Sequence, residues 1–487
     1  MHKIGIIIGG ASGYMGQKGV GALESLEKEL RNIDVEIDFV FLVDPNPIIE
    51  EILVECFPNL RLNAAIKIFN SMLSEALASV EDFRRDEIYP VLVYDASPTT
   101  AHIDNLAFIT ERSDSSILYL GEKPIFTDLS EIKFYEHEIE HGREFFCELI
   151  ETVNPVFTAI NNYLETEILH PSINRISLWR AGCSGLKKAV TVGRDGVEGG
   201  ALEDKSLHDL SITVGILGVQ NIKRTSVTSA KVHSLIPHSK YYEDGSVSFL
   251  TIGNRETTSI ETDLRGELEC PADGLFSMDV EWEVASRTVC SNYLFSWLGV
   301  NESPIESEFA ERLSSLGFPP FVEEDTGNAL MPRRWLDIAN PTVETFAGKN
   351  FELRMDEARV GVIEFERNGE RNYIVCNFLA KYNIRRFAYV VREIEGKAEL
   401  VYTIYIDPPI SDTYAKRKSE DLSVIFMKVL KQGLGLEEAT LINSRSSMLV
   451  HDVMIRARKK AYRELDTDPS VWFKCLVDLC AGHIRPK

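Results

Sequence analysis

Asp204 and His208 stand four residues apart behind the Gly199-Gly200 pair, a spacing that puts both side chains on one face of a helix. A carboxylate beside an imidazole can orient the ring and pass a proton near neutral pH. Lys123, in Gly121-Glu-Lys-Pro124, follows a strand-like run and adds a third titratable group. Upstream, Gly9-Gly-Ala-Ser-Gly-Tyr-Met-Gly16 comes straight after the apolar Ile4–Ile8. Where a buried strand turns into a helix, glycine keeps side chains clear of the helix N-terminus that receives a pyrophosphate. Gly10, Gly13 and Gly16 make G-x-x-G-x-x-G, with Ala11 where the more usual pattern has its first glycine. Together the three motifs suggest a nicotinamide-dependent enzyme whose proton relay is Lys123, Asp204 and His208.

Asp44 closes the strand-like Phe39–Val43. There a carboxylate accepts from both adenosine ribose hydroxyls and repels a 2′-phosphate, and Pro45-Asn46-Pro47 supplies no arginine to offset it, so NAD is favoured over NADP. Read simply as a turn residue capping the next helix, Asp44 would leave the glycines unexplained. The plain alternative for Asp204 and His208 is an exposed helix pair worth a few tenths of a kcal/mol. For Lys123 it is a surface lysine after a strand. Arg180, Lys187, Lys188 and Arg194 precede the glycine pair and either meet an anionic substrate group or are ordinary surface charge. Arg456-Ala-Arg-Lys-Lys460 reads as a solvated helix face.

These residues need a scaffold, and 487 residues exceed what one core usually holds, since cores divide beyond about 250–300 residues. Residues 1–152 alternate strands (3–8, 36–43, 90–95, 116–120, 145–150) with helices (15–31, 48–57, 70–80, 100–112, 129–142). That is the pattern of a doubly wound parallel sheet. Glu81–Glu87 reads as a surface excursion. Residues 153–487 form the second domain, with one-sided antiparallel strands dominating from 225 onward and helices over 416–432 and 445–465. Pro304, Pro319, Pro320, Pro332 and Pro341 mark 301–350 as a long excursion, whether lid, oligomer arm or passive loop.

Composition narrows the class. The chain is 44% hydrophobic and 26% charged, ordinary globular values, and no apolar run approaches the ~20 residues that span a bilayer. Eight cysteines without a C-x-x-C pair argue against a disulfide framework and against a metal site, and read as mostly reduced and buried. A net charge of −23 repels phosphate backbones and anionic membranes, so neither nucleic acid nor membrane is an expected partner. The start Met1-His-Lys-Ile4 lacks the features of a signal peptide, and cytoplasmic residence is the expectation.

Four motifs in order, the glycine turn, Tyr94-Asp-Ala-Ser-Pro-Thr-Thr-Ala-His102, Gly121–Pro124 and Gly199-Gly200 through His208, give the chain a resemblance to the Gfo/Idh/MocA oxidoreductases. That family is named for glucose–fructose oxidoreductase and inositol dehydrogenase. The resemblance covers the first half well and the C-terminal β region in texture only. It implies an α/β architecture: an N-terminal doubly wound Rossmann domain, then a C-terminal α/β domain with a large, mainly antiparallel open sheet that pairs subunits into dimers or tetramers. By the same resemblance Lys123 sits beside the nicotinamide and hydrogen-bonds the reacting oxygen. His208 takes the substrate proton, and Asp204 orients the imidazole or binds a neighbouring hydroxyl. Cofactor contacts fall to Gly10, Ser12, Gly13, Tyr14, Met15, Gly16, Asp44, Ser97, Pro98, Thr99, Glu122 and Lys123, with His102 a helix residue beside the cofactor crevice. Asn154, Arg194 and Gly200 are the candidate substrate contacts. Glu151-Thr-Val-Asn154-Pro155 departs from the arginine or tyrosine that many sugar-oxidising members carry, so the substrate is not transferred. The implied activity is hydride transfer between NAD and a secondary alcohol of a sugar or polyol. The alternatives are a glycosidase-like member with internal redox and no net NADH, and a non-catalytic cofactor-binding sensor.

Overall fold

The computed structural model describes residues 2–46, 62, 64–84, 87–112, 116–140, 144–166, 172–181, 200–236, 272–296, 342–346, 349–353, 358–379, 386–394, 397–407, 414–436, 442–467 and 484–486. They form two compact units, Met1–Asn154 with Ser411–Asp452, and Pro155–Ile410 with Val453–Lys487.

In the first unit β1 (His2–Gly9), β2 (Val35–Val43), β3 (Ala65–Phe69), β4 (Val91–Asp95), β5 (Ile117–Gly121) and β6 (Phe146–Cys147) form one parallel sheet in the order β3-β2-β1-β4-β5-β6. This is the doubly wound order that reverses beside β1, where a crevice opens at the strands' carboxyl ends. Helices α1 (Tyr14–Arg31), α2 (Leu73–Ala78), α3 (Val80–Arg84), α4 (Thr99–Glu111) and α5 (Leu129–Glu140) connect the strands. A central parallel strand is covered on both faces, and the unbroken Ile6–Ile8 is fully buried accordingly. α1 buries Val20, Leu23, Leu26 and Leu30, the three- and four-residue spacing of a one-sided helix.

Two local expectations are corrected here. Glu81–Glu87 is a surface excursion only in part: Glu81, Asp82 and Glu87 are exposed, but Phe83 packs its ring against Phe39 and Phe41, at 5.5 and 4.8 Å between centroids. Arg84 is buried and donates to the Tyr89 carbonyl and to Ser116 Oγ. The charged neighbours hid one aromatic anchor. β3 escaped the sequence pattern altogether, being a short edge strand with Ala65, Ile66 and Lys67 exposed. The expected helix over 48–57 lies outside the described residues.

The second unit opens with α6 (Pro155–Thr166) and β7 (Ser172–Ala181), then α7 (Gly200–Leu217), β8 (Ile222–Ile236), β9 (Ala272–Val284) and β10 (Arg287–Ser296). β11 (Thr342–Phe346), β12 (Lys349–Leu353), β13 (Ala358–Arg367), β14 (Glu370–Asn377), β15 (Phe387–Ile394) and β16 (Lys397–Ile406) follow. Eight of these strands make one sheet in the order β16-β15-β14-β13-β7-β10-β9-β8. Every neighbouring pair is antiparallel except β7 with β10. α7 lies across β7, β9 and β10, its Thr213 Oγ1 accepting from the fully buried Tyr293 hydroxyl at 2.8 Å.

The chain ends with α8 (Tyr414–Gly433), α9 (Ser444–Thr467) and a strand β17 (Ile484–Pro486). β17 pairs with β12, and β12 with β11, in a small antiparallel sheet. The expected excursion over 301–350 therefore contains one strand, Thr342–Phe346, and the start of another; residues 301–341 lie outside the described residues. The pattern in the sequence put both C-terminal helices with the second domain, but α8 and the first turns of α9 belong to the first unit. There Phe426 of α8 sets its ring 5.1 Å from Tyr94 of β4.

The basic cluster on α9 is not a solvated face. Arg456 donates to the Thr225 carbonyl at 3.1 Å and to its hydroxyl at 2.6 Å, Lys460 to the carbonyls of Val227 and Thr228, and Arg458 pairs with Glu203. Among the described residues β8 is an edge strand, and Arg456 and Lys460 satisfy carbonyls that no described strand meets. Among the described residues Cys147, Cys290 and Cys376 are free thiols, and no helix is long and apolar enough to cross a membrane.

Candidate active site

The glycine turn after β1 is clamped on three sides. Gly10 adopts φ +65°, and a Cβ there would stand 2.4 Å from the Ala96 carbonyl oxygen; at Gly16 it would stand 2.1 Å from that of Gly10. Only glycine lets the turns after β1 and β4 close on each other and lets α1 start against the strand. The Ala96 N–H donates to the Gly9 carbonyl and the Ala11 N–H to that of Val43. Asp44 accepts from Ser12 twice, from its N–H at 3.0 Å and its hydroxyl at 2.5 Å, and from the Asn46 N–H at 2.8 Å. Gly13 and Tyr14 are exposed, whereas Met15 turns its side chain into the core. At Gly13 a Cβ would meet only the Gly10 oxygen within 4 Å, so the turn is open on that side. A dinucleotide's pyrophosphate fits this cradle, with the N-terminus of α1 facing it. Gly16→Ala should destabilise the protein by about 1–3 kcal/mol through overpacking against backbone that has nowhere to move; urea melts of the variant beside wild type check this.

The loop bearing Lys123 is fastened on both sides of it. The Glu122 N–H donates to the Asp95 carbonyl at 2.8 Å, and the Ile125 N–H to His451 Nε2 at 3.0 Å. Buried His102 sets Nδ1 2.9 Å from the Pro124 carbonyl oxygen and Nε2 2.8 Å from that of Ser97, tying this loop to the turn after β4. In that turn Asp95 receives the Ser97 N–H, the Asn105 amide and the Tyr119 hydroxyl. Ser97 and Thr99 are partly exposed and Pro98 exposed, at the head of α4. Just beyond β6, Glu148 donates its N–H to the Gly121 carbonyl and accepts the Tyr94 hydroxyl at 2.6 Å. Burial, then the neighbouring Glu122 charge, pushes its carboxyl up to about 7, and Lys418 and Lys123 oppose the rise.

In the second unit Gly200, at φ +81°, opens α7, and Asp204 and His208 follow on one face, both partly buried. Asp204 is paired with Lys205 at 2.8 Å. Next to His208, Asp209 is fully inside; its Oδ1 accepts the Nε–H of Arg180 at 2.8 Å and lies 2.7 Å from Nη2 in an ion pair. Arg180 is thus neither surface charge nor a substrate contact but a buried tie between β7 and α7. Arg194, with Lys187, Lys188 and Gly199, lies outside the described residues. Asn154, buried at the end of the first unit, donates its amide to Glu151 at 2.8 Å.

No family profile and no curated protein matches the chain in sequence. Solved structures do match in three dimensions. A UDP-N-acetylglucosamine 3-dehydrogenase from Acidithiobacillus ferrooxidans superposes with a TM-score of 0.52 at 12% identity, covering 96% of this chain and 99% of its own. An oxidoreductase from Agrobacterium radiobacter, solved with NAD+, L-tartaric acid and magnesium, gives 0.53 at 12%, covering 95% and 97%. A 3-ketoreductase mutant from Actinomadura kijaniata, solved with TDP-benzene and NADP, gives 0.51 at 12%, covering 94% and 98%. The chain has the two-domain Gfo/Idh/MocA fold.

The quoted motifs lie at the carboxyl ends of β1, β4 and β5 and at the start of α7. Two residues beside Lys123 were missed. Glu148 stood out only as a carboxylate in the apolar run Phe145-Phe-Cys-Glu-Leu149, and His451 as a lone histidine in the apolar Leu449-Val-His-Asp-Val-Met-Ile455. His451 accepts the Ile125 N–H on Nε2, so its proton sits on Nδ1 and goes to the Ser447 carbonyl at 2.7 Å. Burial holds its pKa down at about 4. Protonation then favours the unfolded chain, so stability is fully present above the usual pKa near 6.5. It falls as pH drops from there toward 4, by about 3 kcal/mol. Denaturant melts at pH 7.5 and 4.5 should show this loss, and His451→Gln should reduce it.

Proposed function

We propose that the chain is an NAD(P)-dependent oxidoreductase that moves a hydride between the cofactor and a secondary alcohol or carbonyl of a sugar, polyol or derivative. The observation that carries this reading is the joint geometry of one sheet edge. A glycine cradle built for a pyrophosphate closes on the turn after β4, and His102 ties that turn to the loop holding Lys123. The structures it superposes on support the same class, being by their descriptions a dehydrogenase of UDP-N-acetylglucosamine, an oxidoreductase with NAD+ and a 3-ketoreductase with NADP. NAD is favoured, because Asp44 at the end of β2 would repel a 2′-phosphate.

The nicotinamide, when bound, supplies the hydride acceptor or donor. The chain's own groups handle the oxygen. In the oxidative direction Lys123 hydrogen-bonds the reacting hydroxyl and steadies the oxygen as it becomes a carbonyl. His208 takes the hydroxyl proton, and Asp204 orients the imidazole or binds an adjacent hydroxyl. Lys205 pairs with Asp204 at 2.8 Å, beside the imidazole-bearing turn.

The test is absorbance at 340 nm with NAD or NADP and a panel of inositols, aldoses, amino sugars, sugar acids and nucleotide sugars. The expected result is a rise with at least one substrate, reduced by orders of magnitude in His208→Ala with cofactor binding kept. Full activity in His208→Ala would remove the histidine from the mechanism. Substrate turnover with no net reduced cofactor would instead mark internal redox.

A further inference from the structure

α8 returns from the far end of the sequence and packs against α1. Its course over the sheet is fixed at three points. At its C-terminal end a Cβ on Gly433 would stand 2.4 Å from Leu118, near the start of β5. In its middle Phe426 meets Tyr94 of β4. Lys418, fifteen residues and so ~22 Å along the axis before Gly433, sets Nζ 5.4 Å from the ring centroid of Tyr14 in the glycine turn. α8 therefore runs against the strand direction, with Lys418 at the carboxyl edge where the crevice opens.

Tyr14 is 55% exposed and also carries Lys18 Nζ 5.0 Å from its ring, so two ammonium groups gather beside the first turn of α1. Lys418 is felt as well by Glu148 beyond β6. In a chain of net charge −23 a dianionic diphosphate needs local cations to approach. The glycine turn itself brings no cation.

We propose that Lys418 binds the diphosphate of the dinucleotide, adding a cation from the C-terminal helix to the N–H groups of α1. This rests on the dinucleotide reading above. An ammonium is a point charge with three donors on a flexible stem, able to leave the aromatic face and meet a phosphate oxygen. Its contribution is charge rather than shape, so it is screened by salt.

The test is isothermal titration of the full chain with ADP-ribose, NADH and adenosine, at low and high salt, for wild type, Lys418→Met, Lys418→Arg and Lys418→Glu. Lys418→Met keeps the apolar stem, and a thermal melt confirms its fold. It is expected to weaken ADP-ribose and NADH about tenfold, roughly 1.4 kcal/mol by the affinity relation, and to flatten the salt dependence. Adenosine, which lacks the diphosphate, should be unaffected; Lys418→Arg should keep most of the affinity and Lys418→Glu should lose more. Equal ADP-ribose affinity in wild type and Lys418→Met would overturn the proposal. So would a parallel loss for adenosine, which would make Lys418 a support of the fold. If wild type binds neither ADP-ribose nor NADH, the dinucleotide reading itself fails and this one falls with it.

Discussion

Lys123→Ala is expected to lower turnover by about 10²–10⁴-fold while NADH affinity stays within a few-fold of wild type. The side chain stands at the carboxyl end of β5 on a loop held by Asp95, His102 and His451, so its removal leaves the loop's backbone ties in place. What goes is the group that would hydrogen-bond the oxygen as its charge changes. That loss belongs to the transition state and should appear in kcat more than in KM. Stopped-flow hydride transfer, with NADH binding measured separately by fluorescence, separates the two. Unchanged kcat would remove Lys123 from the chemistry whatever the substrate proves to be.

Asp209→Ala is expected to destabilise the protein by about 3–5 kcal/mol, the cost of leaving a charge buried without its partner. The carboxylate and the Arg180 guanidinium are 3% and 2% exposed, and Asp209 Oδ1 accepts the Nε–H at 2.8 Å with Nη2 in ion-pair contact at 2.7 Å. Removing both charges, as in Arg180→Met with Asp209→Leu, should restore most of the loss, because two apolar side chains can fill the space between β7 and α7. Urea melts of the two variants decide it. A single-variant loss below about 1 kcal/mol would mean that water reaches the pair. Since Asp209 adjoins His208, the double variant also asks whether the pair does more than set the helix that bears the histidine.

The first domain was legible because parallel βαβ structure writes itself locally. Buried strands such as Ile6–Ile8 are unbroken apolar runs, the helices have one apolar face, and glycines stand where the turns after β1 and β4 close on backbone. The second domain was legible as texture, since alternation reveals a strand but not its neighbour. Nothing in the run Ser172–Ala181 shows that it pairs parallel with β10 and antiparallel with β13. Charged residues misled most. Arg456 read as a surface side chain and Arg180 as surface charge or a substrate contact, yet each meets a carbonyl or carboxylate contributed by a different element. A sequence displays the charge and not the partner.

The sequence alone determined the positions of the glycine turn, the lysine loop and the Asp-x-x-x-His helix, because each depends on spacings of a few residues set by turn and helix geometry. Only the tertiary structure decided what surrounds them. His451 lies 326 residues from Ile125 of the loop it holds, Lys418 lies farther still from the turn it faces, and Glu148 owes its raised pKa to burial beside Glu122. Burial and long-range contact are properties of the packed chain. Local pattern names the groups that can do chemistry, and packing sets their charge, their orientation and their company.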